Sequence, residues 1–154
     1  MKGFKAYKMD RKTKAEELFK SGYNCSQSVI GAFCDDLGLD FDTAMKISEG
    51  FGGGIGSMRL TCGAVSGMVM AVGMILSSGA DEGDTRGEVY GTVKSLCDEF
   101  REMNGSIVCA DLLGLNNDTY SPTPEGRTQE FYKKRPCVEC VKDCVGLVEK
   151  KFFD

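Results

Sequence analysis

Three cysteines in this 154-residue chain stand where helices are predicted to begin: Cys25 follows Asn24, Cys62 follows Thr61 and Cys137 follows Pro136. In the first turn of a helix, unpaired backbone N–H groups and the positive end of the dipole stabilise a thiolate. The thiolate is the form of cysteine that attacks disulfides and binds soft metals. Eight cysteines and no histidine therefore point to chemistry that runs on sulfur.

Helical spacing sorts the thiols. Cys25 and Cys34 are nine residues apart, about 900° around one helix, so they face opposite sides of it. Cys34 shares its face with Ile30 and Leu37 and reads as a small buried hydrophobe. Cys97 lies on a stripe with Tyr90, Val93 and Phe100 and reads as core. Cys137, Cys140 and Cys144 fall within roughly 60° of one another on the final helix, which makes a cysteine face. As a redox pair, Cys137 would be the exposed attacker and Cys140 the resolving thiol. As a metal site, that face needs ligands from elsewhere. Zinc usually takes two C-x-x-C pairs or histidines, and the chain has neither. An iron–sulfur cluster needs four ligands, usually cysteine, and Cys25, Cys62 and Cys109 are available. Plain packing is the alternative for Cys140 and Cys144.

The elements that must position these thiols all read as helix. Residues 12–20 form a short charged helix that breaks at Ser21-Gly22. Asn24 then caps a second helix, with Gln27 at capping-box spacing, and Gly38 ends it. Residues 41–49 make a third helix, stopped by the glycine run 50–56. A central helix over 62–78 is expected to end at Gly79, and an amphipathic one over 84–103 at Asn104-Gly105. Ser106 is placed as the cap of a short helix reaching Leu113. A polar, proline-containing loop over 116–135 precedes the last helix, 137–151. No strand-like alternation is present. The expected fold is all-α, a compact irregular bundle of about six helices in a single domain over 1–154.

Composition excludes several classes. With 23 acidic against 19 basic residues the net charge is −4, which argues against a nucleic-acid surface. The longest uncharged run, 60–80, is broken by glycines and serines and reads as a buried core helix rather than a membrane span. The opening residues are basic but lack the apolar core of a signal peptide, so the expected compartment is the cytoplasm, where thiols stay reduced. The glycine loop has no following Gly-Lys-Ser/Thr and no strand before it, so phosphate binding gives way to a tight, positive-φ connection. Met58, Met68, Met70 and Met74 do not share one face and read as core filling rather than a copper site. Gly63, Ala64, Ser66 and Gly67 strip bulk from the start of the central helix. Another helix, a partner chain or a cofactor must come very close there, and that stripe could support a homodimer.

Taken together, Asn24-Cys25, the stretch GFGGGIGSMRLTCGAVSG over 50–67, SIVCADLLG over 106–114 and Pro136-Cys137 resemble the family of redox-active proteins named for the pattern C…GCAxxG…C…C. The resemblance spans about residues 12–150. Cys62 matches the motif cysteine, in the order Cys-Gly-Ala rather than Gly-Cys-Ala, and Cys25, Cys109 and Cys137 match the other three. Cys34, Cys97, Cys140 and Cys144 fall outside the pattern. The resemblance implies a small helical protein with a redox activity. A similar helical segment also resembles part of the split-Soret cytochromes, which carry hemes and an iron–sulfur cluster. Without histidine or C-x-x-C-H, c-type heme is excluded.

The leading expectation is a cysteine-based redox protein in which Cys25, Cys62, Cys109 and Cys137 converge between helix N-termini. Either these four ligate an iron–sulfur cluster, or thiols exchange electrons with Cys62 or Cys137 as the nucleophile. Four convergent cysteines lean towards ligation, because thiol exchange needs only two. The alternatives are a non-catalytic soft-metal module and a helical interaction protein. A redox partner protein is expected, and nothing in the sequence says which.

Overall fold

The computed structural model describes residues 9–80, 84–114 and 136–154. Among the described residues there are seven α-helices and no strand: α1 (Arg11–Lys20), α2 (Cys25–Leu37), α3 (Phe41–Ser48), α4 (Gly63–Leu76), α5 (Arg86–Asn104), α6 (Cys109–Leu113) and α7 (Cys137–Phe152). The expected all-α class holds. The polar loop expected over 116–135 lies outside the described residues.

Local chemistry explains the boundaries. Asn24 caps α2 by accepting from the Gln27 N–H, and the Gln27 side chain accepts in return from the Asn24 N–H, so the capping box forms as spaced. The Asn24 amide also donates to the Glu49 carbonyl, which ties the start of α2 to the 3₁₀ turn Glu49–Phe51 that follows α3. Gly38 ends α2 in the left-handed region. Two terminators differ from expectation. Helix α4 stops at Leu76 rather than at Gly79, because Ser77 turns extended. The Ser77 and Ser78 hydroxyls then bind the N–H groups of Gly79 and Ala80, an alternative to the helical ladder. Ser106 does not cap α6. It accepts from the Val108 N–H and donates to Asp111, forming a turn ahead of the helix, whose cap position is Val108.

Helices α2, α4 and α7 meet in the centre, with α1 and α5 packed around them. Their core is Val29, Ile30 and Phe33 from α2, Val65, Met68 and Val72 from α4, and Val141, Val145 and Val148 from α7, closed by Phe19 and Phe100. The most extensive packing is between α2 and α4. A Cβ on Gly67 would lie 2.8 Å from both the Ser26 carbonyl oxygen and Val29 Cβ. The two glycines of the α4 stripe, Gly63 and Gly67, are therefore spent inside the chain on α2. Tyr90, placed on a core stripe by periodicity, is 67% exposed; α5 turns its Leu96 and Phe100 inward instead. Arg11 pins α1 to α2 and α7, with ion pairs to Asp36 (2.7 Å) and Glu149 (2.9 Å) and its guanidinium 4.1 Å from the Phe153 ring centre. Among the described residues no helix is long and apolar enough to cross a membrane.

Candidate functional site

Cysteines occupy the starts of four helices. Cys25, Cys109 and Cys137 are the first residues of α2, α6 and α7, and Cys62 is the N-cap of α4. All four line one cavity of about 40 Å³, and Cys140 lines it with them. Gly53, Gly54, Arg59, Gly63, Leu112, Leu113 and Pro136 complete the wall. The space admits a few water molecules and no peptide. All eight cysteines are thiols.

Three local devices bring these sulfurs together. The first is a single antiparallel bridge between Thr61 and Val108. There the Cys62 N–H donates to the Ile107 carbonyl (2.8 Å) and the Cys109 N–H to the Leu60 carbonyl (2.5 Å), which places the two cysteines side by side. The second is the glycine loop. Gly54 has φ +72°, and a Cβ there would lie 2.6 Å from the Leu60 nitrogen and 2.7 Å from Cys109 Cβ. Only glycine allows the loop to lie against α6, and it supplies the tight positive-φ connection expected of it. Ile55, Ser57 and Arg59 also take positive φ, a strained run of the kind that gathers at functional sites. The third device is Gly63, where a Cβ would come 3.2 Å from Cys25 Cβ. Its absence lets the starts of α2 and α4 close on each other.

Within the cavity the thiols form two contacting pairs. The titration of Cys62 is governed first by Cys140, and that of Cys25 by Cys137. Cys62 is 6% exposed and Cys140 2%, whereas Cys25 and Cys137 are half-buried. The Cys140 contact lowers Cys62 from 9.0 to about 7, with burial opposing and the Val65 and Ala64 N–H groups assisting. Those N–H groups act as a dipole rather than as a formal cap, since no side-chain cap bond forms at Cys62. Every other titration recorded in the cluster moves the opposite way. Cys140 is raised by its bond to Cys62 and by burial, Cys25 by its bond to Cys137 and by burial, and Cys109 by burial against the favourable Arg59 guanidinium. Arg59 Nη1 donates to Cys109 Sγ at 3.8 Å, while its buried Nε has no hydrogen-bond partner.

Cys140 is the residue that sequence reasoning set outside the pattern, and the C-x-x-C spacing to Cys137 was its signal. Cys144, one turn further along α7, is fully buried and does not line the cavity. Cys34 lies buried in the core with its thiol on the Ile30 carbonyl, and Cys97 is a half-buried packing residue of α5. Met68 is buried, whereas Met58 and Met74 are exposed, so the methionines form no common site. The sulfur donors available to a soft metal are the five cavity cysteines. Among the described residues, no three Cys, Asp or Glu side chains are grouped so that they could hold a metal ion.

A family model described as "Putative redox-active protein (C_GCAxxG_C_C)" matches residues 23–151. An Archaeoglobus fulgidus protein described as "Uncharacterized protein" is 28% identical over 153 residues, covering 93% of each chain. No solved structure matches. With five thiols gathered in one cavity and a family match that runs from Tyr23 to Lys151, this chain belongs to the C_GCAxxG_C_C family of redox-active proteins.

Proposed function

We propose that this protein carries out thiol–disulfide redox chemistry, with Cys62 as the resting nucleophile and Cys140 as the thiol with which it forms a disulfide. The observation that carries this reading is the Cys62–Cys140 contact at the N-terminus of α4, which holds Cys62 at about 7. A thiolate near half population at neutral pH, in contact with a second thiol, is the arrangement that disulfide exchange requires. The count of family-matching cysteines leans towards cluster ligation, but the geometry supports exchange better. Cys62 responds most strongly to Cys140 and Cys25 to Cys137, so the cavity thiols act as two pairs.

The test is to equilibrate the protein anaerobically in graded thiol–disulfide buffers, alkylate, and map cysteines by peptide mass spectrometry. A two-electron transition that joins Cys62 to Cys140, and is lost in both Cys62→Ala and Cys140→Ala, is the expected result. Anaerobically purified protein containing stoichiometric iron and acid-labile sulfide would overturn this reading in favour of a cluster held by the cavity cysteines. Stoichiometric zinc or copper without a disulfide transition would instead favour a soft-metal module.

A further inference from the structure

Resting on the reading above, one difficulty remains in the geometry. The activated thiol is the one that an external disulfide cannot reach. Cys62 is 6% exposed and Cys140 2%, behind a cavity of about 40 Å³ that has no room for a peptide disulfide. The half-buried cysteines are Cys25 and Cys137. They touch each other, and Cys137 lies three residues before Cys140 on one face of α7. We propose that Cys137 is the hub of a thiol relay, exchanging with an external disulfide at the rim and passing the oxidation by way of Cys25 and Cys140, which line the same cavity, to the buried Cys62–Cys140 pair.

The steps balance without any further oxidant. The Cys137 sulfur attacks the external disulfide, whose S–S bond breaks; one half leaves as a thiol with the Cys137 proton and the other stays on Cys137. The Cys25 sulfur then attacks Cys137 and expels the second half as a thiol, which carries the Cys25 proton away. Cys140 attacks Cys137 in turn, and its proton passes to the departing Cys25. Finally the Cys62 thiolate attacks Cys140 and releases Cys137 as a thiolate, so the single negative charge passes from Cys62 to Cys137. One external disulfide is reduced to two thiols, and one internal disulfide, Cys62–Cys140, is formed. Run backwards, the same exchanges oxidise two external thiols to a disulfide and return Cys62 and Cys140 to the dithiol. A C-x-x-C pair at a helix start supports this middle step, because the first-turn N–H groups stabilise the thiolate that leaves Cys137.

The relay is tested on fully reduced, full-length protein with oxidised glutathione as the probe, quenched over time by alkylation and mapped by peptide mass spectrometry. Wild type should accumulate the Cys62–Cys140 disulfide as its end product. Cys137→Ala and Cys137→Ser should lose that product over the time in which wild type completes it. Cys140→Ala should stall with a Cys25–Cys137 disulfide, which reads the relay without touching the hub. If both Cys137 variants form Cys62–Cys140 at the wild-type rate, or if Cys140→Ala takes up glutathione on Cys62 and not on Cys137, the relay is overturned while the dithiol reading stands. Failure of wild type to form Cys62–Cys140 under any oxidising condition overturns the dithiol reading itself.

Discussion

Removing the Cys140 thiol should make Cys62 an ordinary cysteine. The lowering of Cys62 from 9.0 to about 7 corresponds to about 2.7 kcal/mol in favour of the thiolate. Cys140 is the largest contributor, the Val65 and Ala64 N–H groups are smaller ones, and burial opposes all three. A hydrogen bond to a charged sulfur contributes on the order of 1.5–3 kcal/mol, so Cys140→Ala should raise Cys62 by about 1–2 pH units. The thiolate population of Cys62 at pH 7 would then fall from about half to roughly 1–10%. Cys140→Ser is the internal control, because its hydroxyl still donates and should keep much of the effect. The assay is anaerobic pH titration of thiolate ultraviolet absorbance, taken as the difference between each protein and its Cys62→Ala counterpart. Absorbance needs no reagent to enter a closed cavity. A Cys62 titration that stays near 7 in Cys140→Ala would refute the reasoning and leave the α4 N-terminus as the whole cause.

The same shifts set a pH profile for stability. Between about 7 and 9 the unfolded chain binds a proton that folded Cys62 has already shed, so stability should rise by up to about 1.4 kcal/mol per pH unit. Above about 9, Cys25, Cys140 and Cys144 keep protons that their unfolded counterparts lose, and stability should fall; denaturant midpoints measured anaerobically under reductant would contradict this by declining steadily from pH 7. Gly67→Ala gains up to about 1 kcal/mol of helix propensity but drives a Cβ to 2.8 Å from the Ser26 carbonyl, and the overpacking cost of about 1–3 kcal/mol should win. An unchanged or higher urea midpoint would show that α2 and α4 can part cheaply. Gly54→Ala meets the Leu60 nitrogen and Arg59 Cα, backbone atoms that cannot swing away, at a φ of +72°. It should lower the melting temperature and shift the Cys109 alkylation rate together, and a change in neither would dismiss the loop as the support of Cys109.

Helices were legible where their signals are local. The Asn24–Gln27 box, Gly38 and Gly105 all act within a few residues of themselves, and each ends or starts a helix as its chemistry dictates. Failures came where two local partners competed, as when Ser77 and Ser78 drew backbone N–H groups away before Gly79 could cap α4. Tyr90 failed because periodicity gives a face without saying which neighbours cover it, and the start of α5 has little packed over it. Within the site, the helix-start positions of Cys25, Cys62 and Cys137 were readable from Asn24, Thr61 and Pro136. The nearness of Cys62 and Cys109 was not, since it depends on a bridge between residues 47 apart, Thr61 and Val108. Cys140 was visible as a spacing, but only the packing of α7 against α4 turns it towards Cys62.

Five thiols in one apolar cavity are also limited by their own charge. Helices α2, α4 and α7 each aim an N-terminus at it, which favours a thiolate there. Yet the first thiolate opposes the rest: charge on Cys62 raises Cys25, Cys109, Cys140 and Cys144 alike. Burial raises the same thiols more strongly, and the two together outweigh what a helix end contributes. The resting state therefore holds a thiolate at Cys62 while Cys25, Cys109 and Cys140 wait as thiols. Forming the Cys62–Cys140 bond removes that charge together with one proton, and with it one of the lesser influences that raise Cys25 and Cys109. Ligating four cysteines at once would instead require positive charge from a bound metal to offset several thiolates. A pocket with a single activated sulfur among protonated neighbours is thus suited to exchange, where one thiolate at a time does the attacking.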